Sequence, residues 1–302
     1  MQLEAFKAAL LENKISFTEN EKMSLHTSFK IGGDADIFVE AENSQELEST
    51  LKLAKEYDVP CLILGKGSNL LVSDLGIEGA VISTRKLENI KVEGNKIICE
   101  AGVHLSKLCT AALSSSLTGL EFAYGIPGSV GGALFMNAGA YGGEMSQVVK
   151  GAYFINENLE LEYIDLKDME LGYRTSVFKK NNGVITEIIF ELSEGDQEQI
   201  KSKMDDLMQR RVDKQPLEFP SAGSTFKRPP DHFAGALIEK NNLKGVSRGG
   251  AKVSEKHAGF VINADNATAK DVLDLIDHIK ETVLKNDGVT LEPEVIFKGR
   301  KQ

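Results

Sequence analysis

Tryptophan is absent from the sequence, cysteine and proline are scarce, and no apolar run approaches the length of a membrane span. The three cysteines, Cys61, Cys99 and Cys109, are odd in number, widely spaced and set among apolar residues, which is typical of buried, reduced thiols. No CxxC or HxxxH spacing indicates a metal site, so we expect none. These absences argue against a disulfide-stabilised secreted fold, a zinc-dependent protein and an integral membrane protein.

Positive charge is also in short supply. The 302 residues include 35 Lys and Arg against 45 Asp and Glu, which gives a net charge of −10 and a pI near 5.2. No Lys/Arg cluster is large enough to predict a nucleic-acid partner, and an anionic ligand would need a local cationic pocket. The N-terminal segment MQLEAFKAALLENK predicts a short amphipathic helix and not a secretory signal, so we expect a cytoplasmic protein. The oligomeric state stays open, with a monomer favoured.

The hydrophobic periodicity predicts a mixed α+β fold. Apolar residues recur at helical spacing in five segments, the second of which has Ser44 as its predicted cap: 1–13, 44–58, 104–116, 196–214 and 267–286. Strands are predicted at 34–41, 60–65, 80–84, 183–192, 259–263 and 289–297, with hairpins around Gly94–Asn95 and over 151–164. The composition becomes more charged near residue 195, which predicts a domain boundary there.

A first glycine-rich segment, LGKGSNLLVSD (64–74), directly follows a predicted strand. A dinucleotide fingerprint would need a third glycine opening a helix, but position 70 is leucine, and the Walker pattern is absent as well. Gly65 and Gly67 nevertheless leave backbone N–H groups accessible, and Ser68 and Asn69 add donors, as in an anion cradle. An ordinary strand-to-loop turn explains this segment equally well.

The second segment, GIPGSVGGALFMNAGAYGG (125–143), holds seven of the 28 glycines. Glycine loses more conformational entropy on folding than any other residue, so this density implies close approach by a ligand or by another backbone. We predict that the segment lies against a large polar ligand, with Pro127 stiffening the turn and Ser129 and Asn137 supplying hydrogen bonds. Tight packing at a domain junction is the alternative.

Together with HTSFKIGGDADIFVE (26–40), these segments resemble the FAD-binding domain of the vanillyl-alcohol oxidase/p-cresol methylhydroxylase superfamily. The resemblance implies an FAD-binding domain over 1–195, built from two α+β subdomains at about 1–80 and 81–195. A C-terminal α+β substrate-binding domain would follow over 196–302, with its last strand returning to the FAD domain. No His or Cys stands at an obvious attachment position, so we expect noncovalent FAD. The implied FAD-binding residues are Gly65, Lys66, Gly67, Ser68, Asn69, Gly125, Ile126, Pro127, Gly128, Ser129, Gly131, Gly132, Asn137, Gly139 and Ala140.

Three further motifs narrow the resemblance. GYRTSVFK (172–179), SAGSTFKRP (221–229) and LEPEV (291–295) occur in the order found in the UDP-N-acetylenolpyruvoylglucosamine reductase family, and the resemblance runs from about residue 20 to the C-terminus. It implies NADPH-dependent reduction of UDP-N-acetylglucosamine enolpyruvate to UDP-N-acetylmuramate through FAD, in peptidoglycan precursor synthesis. The 183–192 strand follows the first motif directly, leaving no room for the tyrosine-bearing insertion of longer members. The chain therefore resembles the shorter, type II form.

The resemblance also implies a catalytic set of Arg174, Ser224 and Glu294. A guanidinium can grip a carboxylate through two parallel hydrogen bonds, a serine in a small-residue loop can deliver a proton, and a glutamate can control the charge around both. Glu292 is a competing carboxylate, but the family pattern places the catalytic glutamate after the proline. The implied substrate-binding residues are Tyr173, Lys214, Lys227 and Arg228, the last two for the UDP diphosphate.

Two other functions remain open from the residues themselves. A sugar or alcohol oxidase of the same superfamily would share the glycine segments but lack the Arg174–Ser224–Glu294 set. A non-enzymatic nucleotide-sugar binder would be colourless when purified. His257, in EKHAGFVIN, is compatible with either a substrate-domain role or a purely structural one.

Overall fold

The structure, a computed structural model, describes residues 1–301 and confirms the α+β class. Helices and strands alternate irregularly along the chain, and the helices vary widely in length. The α-helices are α1 Leu3–Glu12, α2 Ser44–Glu56, α3 Leu105–Ser114, α4 Val130–Phe135, α5 Val177–Asn181, α6 Gln197–Lys214, α7 Ala234–Lys240 and α8 Ala269–Asp287.

Most of the strands are short. They are β1 Thr18–Lys22, β2 Asp34–Glu40, β3 Cys61–Leu64, β4 Leu70–Val72, β5 Ile77–Ser83, β6 Ile90–Glu93, β7 Lys96–Glu100, β8 Leu117–Thr118, β9 Gly139–Ala140, β10 Gly143–Glu144, β11 Val149–Ile155, β12 Leu161–Asp165, β13 Val184–Glu191, β14 Ser193–Glu194, β15 Ser247–Arg248, β16 Ala251–Val253, β17 Val261–Asn263 and β18 Ile296–Lys298.

The chain divides into two compact units that are not contiguous in sequence. Unit 1 comprises Met1–Thr18, Phe38–Lys66 and Gly79–Arg211. Unit 2 comprises Glu19–Ile37, Gly67–Glu78 and the chain from Val212 onward. The domain limits expected from the sequence, 1–195 and 196–302, follow the family resemblance and stay a prediction.

Unit 1 is built on a five-stranded antiparallel sheet with strand order β12-β11-β13-β7-β6. Its central strand, β13, has the sequence VITEIIFE, rich in the β-branched and aromatic residues that suit a buried strand. Helices α3 and α4 pack in the same core, where Leu108, Leu134 and Ile188 are each 0% exposed. The parallel strands β3 and β5 form one end of a second sheet, with strand order β1-β2-β5-β3, and α2 packs on β5 in a cluster that also includes Ile155 and Val184.

Unit 2 is organised around the long amphipathic helix α8. Leu275, Ile279 and Val283 form its buried stripe, and the core contains Phe226 and Leu291 as well. The antiparallel strands β15-β16-β17 pack against this helix, and β18 pairs in parallel with β4. The pairing of β4 with β18 brings residues 70–72 beside residues 296–298, at opposite ends of the sequence.

The structure confirms the five long predicted helices and the Gly94–Asn95 hairpin, and it corrects four details. Asn43, not Ser44, caps α2, because its side chain accepts a hydrogen bond from the Glu46 N–H at 2.9 Å. The glycine-rich segment, for which no helix was predicted, contains α4. The predicted last strand at 289–297 shortens to β18, because Pro293 interrupts it. Cys61 is exposed, whereas Cys99 and Cys109 are buried, and all three are free thiols.

No helix within residues 1–301 is long and apolar enough to cross a membrane. That part of the chain also holds no group of three or more His, Cys, Asp or Glu side chains arranged to bind a metal ion.

Asp74 ties the β4 segment to α8. Its carboxylate accepts hydrogen bonds from the Ala269 and Lys270 N–H groups at 2.8 and 3.1 Å, where the first turn of a helix lacks intrahelical partners. We expect Asp74→Ala to lower the free energy of unfolding by about 0.5–2 kcal/mol, as for other helix caps. Urea unfolding followed by circular dichroism measures this, with exposed Asp168→Ala as the control. Equal stability of the two variants would contradict the assignment.

Candidate active site

Gly65 and Lys66 lie at the end of β3, in unit 1, where the chain leaves the parallel pair. The Gly65 carbonyl accepts a hydrogen bond from Nε of Arg85 at 3.4 Å. A Cβ atom added to Gly65 would lie 2.4 Å from Oγ of Ser129, so the turn passes directly against the glycine-rich segment. The two predicted FAD-binding segments therefore meet at Gly65 and Ser129.

Lys66 makes a side-chain contact that its sequence position does not reveal. Its Nζ lies 2.9 and 2.8 Å from Nδ1 and Nε2 of His104. Burial, and then the nearby charge of Arg85, lowers the pKa of the Lys66 ammonium; burial, and then Lys66, lowers the pKa of the His104 imidazole. His104 is therefore neutral at physiological pH and can accept a hydrogen bond from the Lys66 ammonium.

Backbone hydrogen bonds fix the glycine-rich segment against residues 101–105. The Val130 N–H donates to the Val103 carbonyl and the Gly131 N–H to the Ala101 carbonyl, each at 2.8 Å. Gly131 permits this approach, since a Cβ there would lie 2.7 Å from the Cβ of Ala101. Ser129 caps α4 by accepting a hydrogen bond from the Gly132 N–H at 3.3 Å.

Close packing within the chain explains several glycines of the segment. A Cβ at Gly125 would lie 2.8 Å from Nε of Arg211, one at Gly139 would lie 2.7 Å from the Gly143 carbonyl oxygen, and one at Gly143 would lie 2.5 Å from the Phe122 ring. A Cβ at Gly132 would meet only Oγ of Ser129, at 3.3 Å. The packing alternative thus accounts for these crowded positions, whereas Gly132 and also Gly142, where a Cβ would meet nothing within 4 Å, are less crowded.

Gly65, Lys66, Gly128 and Ser129 together form what we call the anion cradle. Within the described part of the chain, no hydrogen bond uses the backbone N–H of Gly65, Lys66 or Ser129. Backbone N–H groups that the fold itself does not use, beside a lysine ammonium, are suited to a phosphate or pyrophosphate group. The residues present therefore fit the pyrophosphate of a dinucleotide.

Arg174 stands at the tip of a tight turn in unit 1. Gly172 and Thr175 exchange backbone hydrogen bonds, each of 3.2 Å, which leaves Tyr173 and Arg174 as the two residues of the turn. Arg174 has a positive φ of 56°, uncommon outside glycine and often found at functional sites. Its Cζ lies 5.1 Å from the ring centroid of Tyr173, which is itself 55% exposed.

In unit 2, two irregular segments bring Ser224 close to Glu294. Phe226 pairs with Pro293 in an isolated antiparallel bridge, the Lys227 N–H donates to the Glu292 carbonyl at 2.9 Å, and the Glu294 N–H donates to the Thr225 carbonyl at 2.8 Å. Thr225 is anchored in turn, because its Oγ1 accepts the Val261 N–H at 2.9 Å. Glu294 therefore lies opposite the residue that follows Ser224.

The two candidate glutamates make different contacts. Nζ of Lys227 lies 3.0 Å from Oε2 of Glu292, in an exposed ion pair. The backbone carbonyl of Glu294, by contrast, accepts a hydrogen bond from Nδ2 of Asn69 at 3.1 Å. The Glu294 backbone is therefore tied to Asn69, a predicted FAD-binding residue, and the choice of Glu294 over Glu292 stays a prediction.

The predicted site residues are divided between the two units. Unit 1 holds Gly65, Lys66, the whole 125–140 group, Tyr173 and Arg174, and unit 2 holds Gly67, Ser68, Asn69, Lys214, Ser224, Lys227, Arg228 and Glu294. In unit 2, Gly67 has a φ of 64°, and a Cβ there would lie 2.2 Å from the His26 carbonyl oxygen. Both the backbone conformation and the packing therefore favour glycine at this position. Lys214 is exposed at the end of α6.

Three residues near the predicted site were missed. His104 contacts Lys66, and no sequence signal links them across 38 positions. Arg211 is 7% exposed and lies beside Gly125; its spacing from Ile200, Met204 and Leu207 places it on the buried stripe of α6, a signal that was readable. Phe233 is 61% exposed, with the Cζ of Arg228 lying 4.1 Å from its ring centroid.

His257 has a structural environment within unit 2. Its Nδ1 accepts a hydrogen bond from the Gly259 N–H at 3.1 Å, and its ring packs edge-on against Phe260. Burial lowers the pKa of the imidazole, so the neutral form dominates at neutral pH. These contacts favour the structural role over a substrate-binding one.

Comparison with known proteins assigns both parts of the chain. A model of the UDP-N-acetylenolpyruvoylglucosamine reductase C-terminal domain matches residues 215–298, and a model of an FAD binding domain matches residues 35–161. UDP-N-acetylenolpyruvoylglucosamine reductase of Clostridium perfringens is 52% identical over 288 residues, 95% of each chain. The enzyme of that name from Caldanaerobacter subterraneus is 48% identical over 299 residues, 99% of this chain and 98% of its own.

A solved structure agrees with these sequence matches. The crystal structure of UDP-N-acetylenolpyruvylglucosamine reductase from Thermus caldophilus superposes with a TM-score of 0.81 at 31% identity, covering 94% of this chain and 98% of its own. The similarity extends over both matched domains and leaves no large segment of either protein unaccounted for. The chain therefore belongs to the UDP-N-acetylenolpyruvoylglucosamine reductase family of FAD-dependent oxidoreductases.

Proposed function

We propose that the protein reduces the enolpyruvyl double bond of UDP-N-acetylenolpyruvoylglucosamine to give UDP-N-acetylmuramate, with NADPH as the hydride donor. Relatives that carry the enzyme's name and match over 95% or more of both chains support this reaction. In the structure, the observation that carries it is the backbone pairing of the segments that contain Ser224 and Glu294, in which Glu294 lies opposite Thr225, the residue after Ser224. The place of the reaction would be peptidoglycan precursor synthesis in the cytoplasm.

FAD would be held noncovalently by the anion cradle, by the remaining predicted residues of the glycine-rich segment, and by Gly67, Ser68 and Asn69. When bound, FAD supplies the hydride from N5 that it has received from NADPH. The N–H groups of Gly65, Lys66 and Ser129 would bind the pyrophosphate oxygens, and the Lys66 ammonium would neutralise part of their charge. Residues 1–195 would then form the FAD-binding domain and residues 196–302 the substrate-binding domain.

Arg174 would read the carboxylate of the enolpyruvyl group. Addition of hydride to one carbon of the double bond leaves an enolate, whose negative charge is spread into that carboxylate. A guanidinium that forms two parallel hydrogen bonds to it binds the enolate more tightly than the neutral double bond, which lowers the barrier. The tight turn that presents Arg174 supports this role, since it fixes the direction from which the fork approaches.

Ser224 would then donate its hydroxyl proton to the second carbon. A serine hydroxyl is a weak acid in water, but the enolate carbon is strongly basic, and a prepositioned donor avoids the cost of finding it. Glu294 would control the charge around Ser224. Its position opposite Thr225, the residue after Ser224, supports this role. Ser224 is exposed within its loop, as a residue that must touch substrate needs to be.

Tyr173 and Lys214 would contact the substrate, and Lys227 and Arg228 would bind the UDP diphosphate. Lys227 would have to exchange its exposed partner Glu292 for a phosphate oxygen, which costs little because an exposed ion pair contributes only about 0–1 kcal/mol. The Arg228 guanidinium lies against the Phe233 ring, which would orient its donors.

The anion cradle yields a test of cofactor binding. Acid denaturation followed by filtration should release FAD into the filtrate, and flavin retained on the precipitated chain would contradict noncovalent attachment. Lys66→Met should raise the dissociation constant for FAD by about ten- to a hundredfold, because a charge-assisted contact to the pyrophosphate is lost. Fluorescence titration of the stripped protein measures this, with Lys107→Met as the control. Equal affinities would remove Lys66 from the FAD site.

Arg174→Lys separates carboxylate recognition from charge. Lysine keeps the positive charge but loses the bidentate fork, so turnover should fall by one to two powers of ten, on the order of one lost charge-assisted hydrogen bond. UDP affinity, measured by calorimetry, should change by less than about threefold. Arg248→Lys, on an exposed strand, controls for the substitution. Weakened UDP binding with normal turnover at saturation would instead assign Arg174 to the diphosphate.

Ser224→Ala tests the proposed reaction itself. NADPH should bleach the flavin absorbance at a near-normal rate in the variant, since that half-reaction needs no proton on carbon. Recovery of the absorbance on adding the enolpyruvyl substrate should slow by roughly two or more powers of ten, the usual contribution of a positioned acid. Stopped-flow absorbance separates the two halves, with Ser247→Ala as the control. Equal slowing of both halves would make Ser224 a structural residue, and normal rates in both would exclude it as proton donor.

A further inference from the structure

Two long-range hydrogen bonds hold the turn that presents Arg174. Nδ2 of Asn137 donates to the Gly172 carbonyl at 3.1 Å, and Oγ of Ser176 donates to the Phe135 carbonyl at 2.8 Å. Gly172 precedes the two turn residues and Ser176 follows Thr175, so the turn is fastened on both sides. Both fasteners connect it to the same short stretch, residues 135–137, at the end of α4.

Both side-chain amide atoms of Asn137 are used in hydrogen bonds within the fold. It is 1% exposed, and its other amide atom, Oδ1, accepts the Ser146 N–H at 3.0 Å. Its backbone has a positive φ of 43°, a conformation that asparagine tolerates better than most residues. Asparagine therefore supplies a donor, an acceptor and a left-handed backbone at one buried position. The prediction that Asn137 binds FAD leaves these three features unexplained.

The Ser176 side chain also makes a long-range hydrogen bond in place of the local one that is usual at its position. It occupies the N-cap position of α5, where serine is favoured because its oxygen accepts a hydrogen bond from the first turn. Here no such cap bond forms, and the fully buried hydroxyl donates instead to Phe135, 41 residues away. The hydroxyl thus contributes to tertiary fastening at the expense of local helix capping.

The helix α4 connects these fasteners to the anion cradle. Ser129, in the cradle, caps its N-terminus, and Asn137 follows its C-terminus by two residues. We infer that Asn137 is a positioning residue, which acts through the Gly172 carbonyl to hold Arg174 at a fixed distance from the anion cradle. The consequence for catalysis rests on the proposed role of Arg174, whereas the fastening itself does not.

Asn137→Asp is the sharpest test of this inference. Aspartate keeps the shape, the acceptor for Ser146 and the tolerance of positive φ, but it replaces the donor to Gly172 with a repelling oxygen. Amide hydrogen exchange in the 172–176 segment and trypsin cleavage after Arg174 should both accelerate about tenfold or more, because a buried hydrogen bond is lost. Mass spectrometry reads both, and Asn158→Asp, in an exposed turn, adds the same charge as a control.

The activity readout distinguishes positioning from cofactor binding. In the holoenzyme, Asn137→Asp should lower turnover by tenfold or more, with flavin content and UDP affinity unchanged. In an Arg174→Ala background the same substitution should cost less than about twofold, because there is no guanidinium left to misplace. Loss of flavin with an unchanged exchange rate at 172–176 would overturn the inference and return Asn137 to the FAD site.

Ser176→Ala provides a second variant in case Asn137→Asp does not fold. It should give the same acceleration of exchange and cleavage at the turn, and unchanged rates would also overturn the inference. If the turn loosens as expected but wild-type protein fails to reduce the enolpyruvyl substrate, the proposed function fails while the fastening stands.

Discussion

The docking of residues 128–131 onto residues 101–105 is the constraint on which unit 1 depends. Hydrogen bonds from the N–H groups of Val130, Gly131 and Leu105 lock the two segments together, and the absence of a side chain at Gly131 lets them approach. This contact determines where α4 begins, and so where Ser129 meets the Gly65 turn. It also determines where α4 ends, and so where Asn137 and Phe135 can hold the turn that presents Arg174. A bulky residue at Gly131 would disturb the anion cradle and the arginine together.

In unit 2, as in unit 1, backbone hydrogen bonds fix the segments that carry the predicted site residues. Ser224 and Glu294 lie on segments that are neither regular strands nor free loops, and one bridge, Phe226 with Pro293, holds them in register. Buried Phe226 and Thr225 anchor the pair to the core, while Glu292 and Lys227 form an ion pair at its exposed end. Irregular backbone allows functional side chains to reach substrate, and packing beneath it keeps them in place.

The sequence predicted the regular elements well because their signals are local. The stripes of α6 and α8 and the Gly94–Asn95 hairpin follow from helical periodicity and turn chemistry, and the motifs identified the family. The contacts that it did not predict join residues that are far apart in the sequence. Asn137 with Gly172 and Lys66 with His104 join residues separated by 35 and 38 positions, and no local pattern encodes such pairs. The helix α4 was hidden for another reason: glycines 131 and 132 have low helix propensity, which tertiary contacts override. The individual roles of the site residues stay predictions.

We propose that this fold holds a flavin which passes reducing equivalents from NADPH to an enolpyruvyl sugar nucleotide. An anaerobic absorbance titration of the purified wild-type protein tests it most directly. We expect an oxidised flavin spectrum that NADPH bleaches and that stoichiometric UDP-N-acetylenolpyruvoylglucosamine restores, with UDP-N-acetylglucosamine having no effect. A colourless protein, or a bleached flavin that only oxygen restores, would contradict the account.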